Sequence, residues 1–177
     1  MRDIGHAGPS EFAPYAAAYV ALVEGADVIE TLSAQFESTE HLIAEFERRS
    51  AHAYAYGPGK WTVADVLCHI SDTERIFSYR TLCVARGEAG ALPGFDQESY
   101  ARVSGANERS LADLLSEFRV VRFSTLALLT GLPREAWSRR GDVNGYSVTV
   151  RGLAFHIAGH ELHHVKILRD RYLPRLQ

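Results

Sequence analysis

Three observations predict an all-α fold, a four-helix bundle with long connections between helices two and three and between helices three and four. Apolar residues recur at steps of three and four along four stretches of about 20 to 25 residues. Helix-start and helix-stop residues bound these stretches. The chain has 177 residues, 46% of them hydrophobic and 23% charged, which is the size and composition of one ordinary globular domain.

Residues 1–26 are poorly patterned, because Pro9, Pro14 and Gly25 interrupt an Ala-rich piece. Tyr15, Tyr19 and Leu22 suit a short helix docked at the periphery of a single domain spanning residues 1–177. From Val28 the pattern sharpens: Ile29, Leu32, Phe36, Thr39, Ile43 and Phe46 form one apolar face. Arg48 and Arg49 suit the negative end of that helix, and Tyr56-Gly57-Pro58-Gly59 breaks the chain after it. The second helix opens at Thr62, whose Thr-Val-Ala-Asp sequence resembles a capping box, and ends before Gly87. The third opens at Ser110 and carries Leu111, Leu114, Leu115, Phe118, Val121, Thr125 and Leu128 towards Gly131. The fourth is predicted from Ser147 to about Arg171, with Val148-Thr149-Val150 read as helix, not strand. The connections 87–109 and 132–146 are long enough to be functional or partly ordered.

The formal net charge of −3 gives no basic footprint for nucleic acid. No apolar run reaches the ~18 residues of a membrane span, and the start lacks a signal-peptide pattern. Cys68 and Cys83 fall on one predicted helix, about 22 Å apart along its axis, too far for a disulfide. These features lead us to expect a cytoplasmic protein that contacts neither nucleic acid nor membrane.

Of the eight histidines, His156, His160, His163 and His164 fall within one stretch of helix four, and His6, His41 and His52 are background. Residues four apart share a helix face, so His156, His160 and His164 form a stripe. One ion takes an adjacent pair at most, because positions 156 and 164 lie ~12 Å apart along the axis. Leu153, Ile157, His160, His164 and Leu168 trace the apolar seam, with His156 and His163 to one side. On helix two, Val66, His69, Thr73 and Ile76 turn His69 inward. His69, His160 and His164 can thus supply three nitrogens to a divalent ion and leave a position open for water or substrate. The competing reading is three core imidazoles, each hydrogen-bonded separately. His160-Glu161-Leu162-His163-His164 also spells the zinc-protease motif H-E-x-x-H. No third ligand follows it, so Glu161 is read as a candidate proton acceptor near a metal or else as a solvated helix charge. Arg80 lies eleven residues beyond His69 on roughly the same face, ~16 Å along the axis. That distance suits a buried ion pair or a loop anchor better than contact with the metal. Phe95, Asp96 and Tyr100 are read as a pocket wall or a dimer contact.

The run Gly59-Lys60-Trp61-Thr62-Val63-Ala64-Asp65-Val66-Leu67-Cys68-His69-Ile70-Ser71-Asp72-Thr73-Glu74, together with His160 to His164, resembles the DinB-like (YfiT-like) family of bacterial four-helix-bundle proteins. Leu92-Pro93-Gly94-Phe95-Asp96 is similar to one subgroup, and the likeness covers about Val28 to Tyr172. The resemblance implies a divalent metal, zinc or nickel, on His69, His160 and His164. Some relatives transfer sulfur from a low-molecular-weight thiol, and others are thiol-dependent isomerases. The chain departs from many transferase-like members at Val165-Lys166-Ile167, where those carry Gly-Gln. The resemblance therefore implies a metal-dependent hydrolase or thiol S-transferase acting on a small electrophile, with a thiol as cosubstrate and homodimer assembly. The alternative is a non-catalytic metal-binding stress-response module.

Overall fold

The structure is a computed structural model that describes residues 4–176; residues 1–3 and 177 of the predicted domain lie outside the described residues. A short 3₁₀ turn at Pro14–Ala16 leads into α1 (Ala17–Val20). The long helices are α2 (Val28–Arg48), α3 (Val63–Arg86), α5 (Leu111–Thr130) and α6 (Val150–Ile167), with a seven-residue α4 (Gln97–Val103) between α3 and α5. Two strands, β1 (Arg140–Val143) and β2 (Tyr146–Thr149), pair antiparallel before α6. This is the predicted four-helix bundle. Among the described residues no helix is long and apolar enough to cross a membrane.

Local chemistry sets the helix ends. The Asp27 carboxylate accepts from the Ile29 and Glu30 amides at the start of α2. Thr62 and Asp65 form the complete reciprocal capping box of α3. Gly87 ends that helix with φ of 81°, in the left-handed region. Ser110 caps α5 through the Asp113 amide. The fourth long helix begins three residues later than the sequence pattern suggests, because Thr149 caps it through the Gly152 amide. Tyr146–Thr149 is strand, not helix. The signal for that hairpin was Asn144-Gly145, whose φ values of 53° and 78° suit a tight turn between antiparallel strands. At its other end α6 runs on through a π-helical turn, Leu168–Tyr172. The Tyr172 hydroxyl there donates to the Trp61 carbonyl at 2.7 Å.

Helices α3 and α2 each pack against both α5 and α6, so α2 lies diagonal to α3 and α5 diagonal to α6. The connection from α5 to α6 therefore crosses the bundle end, which accounts for its length and for the hairpin within it. That hairpin is pinned to the α3–α4 loop, where Leu92 and Val143 form a parallel bridge.

The apolar core falls into two clusters. One gathers Leu32, Phe77, Leu129, Leu153 and Ile157; the other gathers Phe36, Leu67, Ile70, Phe118, Val165 and Leu168. Where they meet, each long helix turns polar: Gln35 and Thr39, His69, Thr73 and Glu74, Arg122 and Thr125, His160 and Glu161, all buried. A polar layer thus crosses the middle of the bundle.

The N-terminal segment, placed by its sequence at the periphery, lies along α6 and covers the side of that helix turned away from the bundle. Its Ala16 and Val20 are buried. Two glycines permit the approach. A Cβ on Gly152 would stand 1.9 Å from the Glu11 carbonyl oxygen, and one on Gly159 would stand 2.1 Å from that of Tyr19. Both neighbours are backbone and cannot swing aside. We expect Gly159→Ala to destabilise the protein by about 1–3 kcal/mol, as overpacking does. A urea midpoint within error of wild type would show that the segment is not held as described.

Candidate metal centre

Helix α3 brings His69 and helix α6 brings His160 and His164 to one point between neighbouring helices. The Nε2 atoms of His69 and His160 are 3.0 Å apart, and those of His164 and His160 are 3.2 Å apart. All three ring nitrogens lie within 4.8 Å of one another. Four ligands at about 2.05 Å around a tetrahedral ion stand ~3.3 Å from each other, close to these separations. No fourth His, Cys, Asp or Glu joins the group among the described residues.

Hydrogen bonds alone satisfy this cluster poorly. A neutral imidazole nitrogen carries one proton or one lone pair. His160 Nε2 faces two other Nε2 atoms and can bond with only one of them. A shared cation accepts a lone pair from each. The protonation states favour it too. Burial pulls His69 down to about 4 and His164 to about 3, with His69 and His163 adding to the shift at His164. His160 falls well below its usual range through burial first and its histidine neighbours second. All three are therefore neutral, lone-pair-bearing bases near pH 7. His69 Nδ1 is 3.5 Å from Thr73 Oγ1, a long contact on the side a ligating imidazole uses for its N–H.

His69 and His160 are buried and His164 is half-buried. Trp61 covers it, with ring centroids 4.6 Å from His69 and 6.3 Å from His164, the latter nearly parallel. Tyr19 lies edge-on to His160 and His163 at 5.5 and 5.0 Å. Tyr19 carries no signal of its own in the sequence for this site; the nearest one is Gly159, which lets it approach.

His156 and His163 stay out of the group. His156 packs 4.0 Å from the Phe77 ring, and burial, then the Arg80 charge, holds it neutral down to about 3. Glu161 is not a solvated charge, being only 1% exposed. Its position one step on from His160 turns it about 100° around the helix, into the bundle. One carboxylate oxygen accepts from Thr39 Oγ1 at 2.6 Å and the other from Arg122 Nη2 at 2.7 Å. Arg122 also forks onto Glu74 at 2.9 and 2.7 Å and donates to the Leu32 carbonyl at 2.7 Å. Burial works against the Arg122 charge, but Glu161 and Glu74 outweigh it and keep the guanidinium protonated. The network joins α2, α3, α5 and α6 directly beneath the histidines.

A bundle whose polar middle layer gathers three neutral imidazoles from two neighbouring helices defines a class, the helical bundles equipped to hold a metal ion. The chain belongs to the DinB superfamily, whose sequence pattern matches residues 31–168. The fold is similar to that of YfiT from Bacillus subtilis, described as "a probable metal-dependent hydrolase with an unusual four-helix bundle topology", with a TM-score of 0.70. The two are 15% identical, over 96% of this chain and 93% of that one. No curated protein matches this chain significantly.

Proposed function

We propose that this protein is a divalent-metal-dependent enzyme that acts on a small electrophile by hydrolysis or by thiol transfer. His69, His160 and His164 hold the ion, zinc or nickel as the family resemblance implies, and imidazole donors suit both. The observation that carries this reading is the convergence of three desolvated Nε2 atoms on one point with no carboxylate and no fourth ligand among them. Bound there, a divalent ion supplies Lewis-acid chemistry and lowers the pKa of a water or thiol that reaches it.

The chain's own residues do the rest. Trp61 and Tyr19, packed against the imidazoles, restrict bulk water and shape the approach. Thr73 orients the His69 ring. Glu161, held by Thr39 and Arg122, fixes the rotation of α6 and so the aim of His160; we assign it positioning and not proton transfer. An open coordination position favours an enzyme over a closed, purely stabilising centre.

The test is a turnover screen of untagged protein against activated esters and amides, and against aryl halides and epoxides with glutathione, bacillithiol or mycothiol. Each substrate is assayed with and without chelator. We expect turnover with at least one substrate that chelator abolishes and added Zn²⁺ or Ni²⁺ restores. Metal-loaded protein inert across the whole screen would favour the stress-response module.

A further inference from the structure

Beside the imidazole triad, α3, α6, the N-terminal segment, the α3–α4 loop and the hairpin turn line an open pocket of about 350 Å³, within the usual range of small-molecule sites. His160 contributes to its wall, and so does Arg80. Thr73, which contacts His69, and Arg80 lie seven residues apart on α3, ~10 Å along the axis. The cavity therefore spans about two helical turns, from the triad to a guanidinium.

The state of that guanidinium is the informative point. Arg80 is 3% exposed, as deeply buried as the residues of the core. Arg122, the other buried arginine among the described residues, is matched by two carboxylates. Arg80 has no carboxylate partner among the described residues, and no Asp or Glu lines the cavity. Its Nη2 donates to the Pro93 carbonyl at 2.6 Å. The Phe77 and Phe95 rings lie 4.7 and 5.7 Å from it. A buried cation without a counter-ion is unfavourable unless something anionic joins it. Neutral His156 beside it cannot serve. The aromatic rings lie against the guanidinium and favour approach at its planar edge, and that fork matches a carboxylate. One cation with no lysine beside it suits a monoanion better than a phosphate dianion.

We propose that this cavity binds a small carboxylate-bearing molecule, its carboxylate paired with Arg80 and its far end turned towards the histidine triad. The placement of the far end rests on the function proposed above, whereas the pairing with Arg80 does not. The ligand is a flat-bodied or flexible monoacid whose reacting group stands two helical turns from its carboxylate, with Tyr15, Tyr19 and Phe95 as its aromatic surroundings.

Calorimetric titration with 4-phenylbutyrate and its neutral isostere 4-phenylbutyramide tests this, on chelator-treated and on Zn²⁺-loaded protein. The acid is expected to bind about tenfold or more tightly than the amide in both forms. Arg80→Met removes the preference, and Arg80→Lys keeps a weaker one. Equal binding of acid and amide to chelator-treated wild type, or no binding of either, overturns the proposal whether or not the variants fold. A preference seen only with Zn²⁺ would place the carboxylate on the metal and overturn it too. Tighter binding of phenethyl phosphate would overturn the choice of carboxylate. A preference intact without metal, beside an inert turnover screen, would leave Arg80 its ligand and sink only the proposed reaction.

Discussion

Arg122→Ala is expected to lower the unfolding free energy by about 3–5 kcal/mol, the usual consequence of removing one partner from a buried ion pair. The side chain is fully buried and answers two carboxylates, Glu74 and Glu161, that are themselves 2% and 1% exposed. Truncation leaves both without a cation and the Leu32 carbonyl without its donor. Burial already pushes the Glu161 carboxyl up, against the pull of Arg122 and Thr39. Without the guanidinium, Glu161 takes up a proton more readily, and part of the loss returns in acid. Adding Glu74→Gln and Glu161→Gln to the variant should likewise recover part of it by removing the stranded charge. Urea denaturation followed by circular dichroism reads the effect. A loss below about 1 kcal/mol, the range of exposed pairs, would show that the network does not hold the bundle together.

That network also marks the limit of what the sequence discloses. The four long helices are legible because the period of their apolar residues survives to the ends, and Thr62 and Ser110 announce two starts. The triad is legible for the same reason, since His69, His160 and His164 occupy seam positions where Leu or Ile would otherwise stand. Glu74 and Arg122 follow no such logic. A charged residue one step off the seam looks solvated, and only the diagonal arrangement of α2 against α3 and α5 against α6 buries it. The solvated-charge reading of Glu161 fails on the same ground. The hairpin was missed because Val148-Thr149-Val150 leads directly into a helix, although Asn144-Gly145 marked the turn. In α5 the buried face passes through Leu129, with Leu128 only partly covered. The docking of residues 4–26 on α6 depends on two glycines whose purpose shows only when another backbone lies against them.

His160→Ala is the second large effect. Its Nε2 is the atom within 3.2 Å of both other ring nitrogens, so its loss removes the middle of the donor set and not an edge. An ion that binds only the folded state adds about 4 kcal/mol when its free concentration is a thousand times Kd. For a domain of this size that raises the melting temperature by roughly 10 °C. Wild-type protein should show such a rise when Zn²⁺ or Ni²⁺ is added after chelation, and His160→Ala should show none. His156→Ala, four residues away on the same helix but outside the donor set, should retain the metal-dependent rise whatever its baseline stability. A rise in His160→Ala equal to that of wild type would place the ion elsewhere.

The claim on which the function rests is that His69, His160 and His164 together hold one divalent ion. Elemental analysis of untagged wild-type protein, purified without chelator, tests it most directly. The arrangement predicts about one zinc or nickel per chain, lost in His160→Ala. Wild-type protein that purifies repeatedly without metal, takes none up from micromolar Zn²⁺ or Ni²⁺, and is fully stable without it would contradict the account.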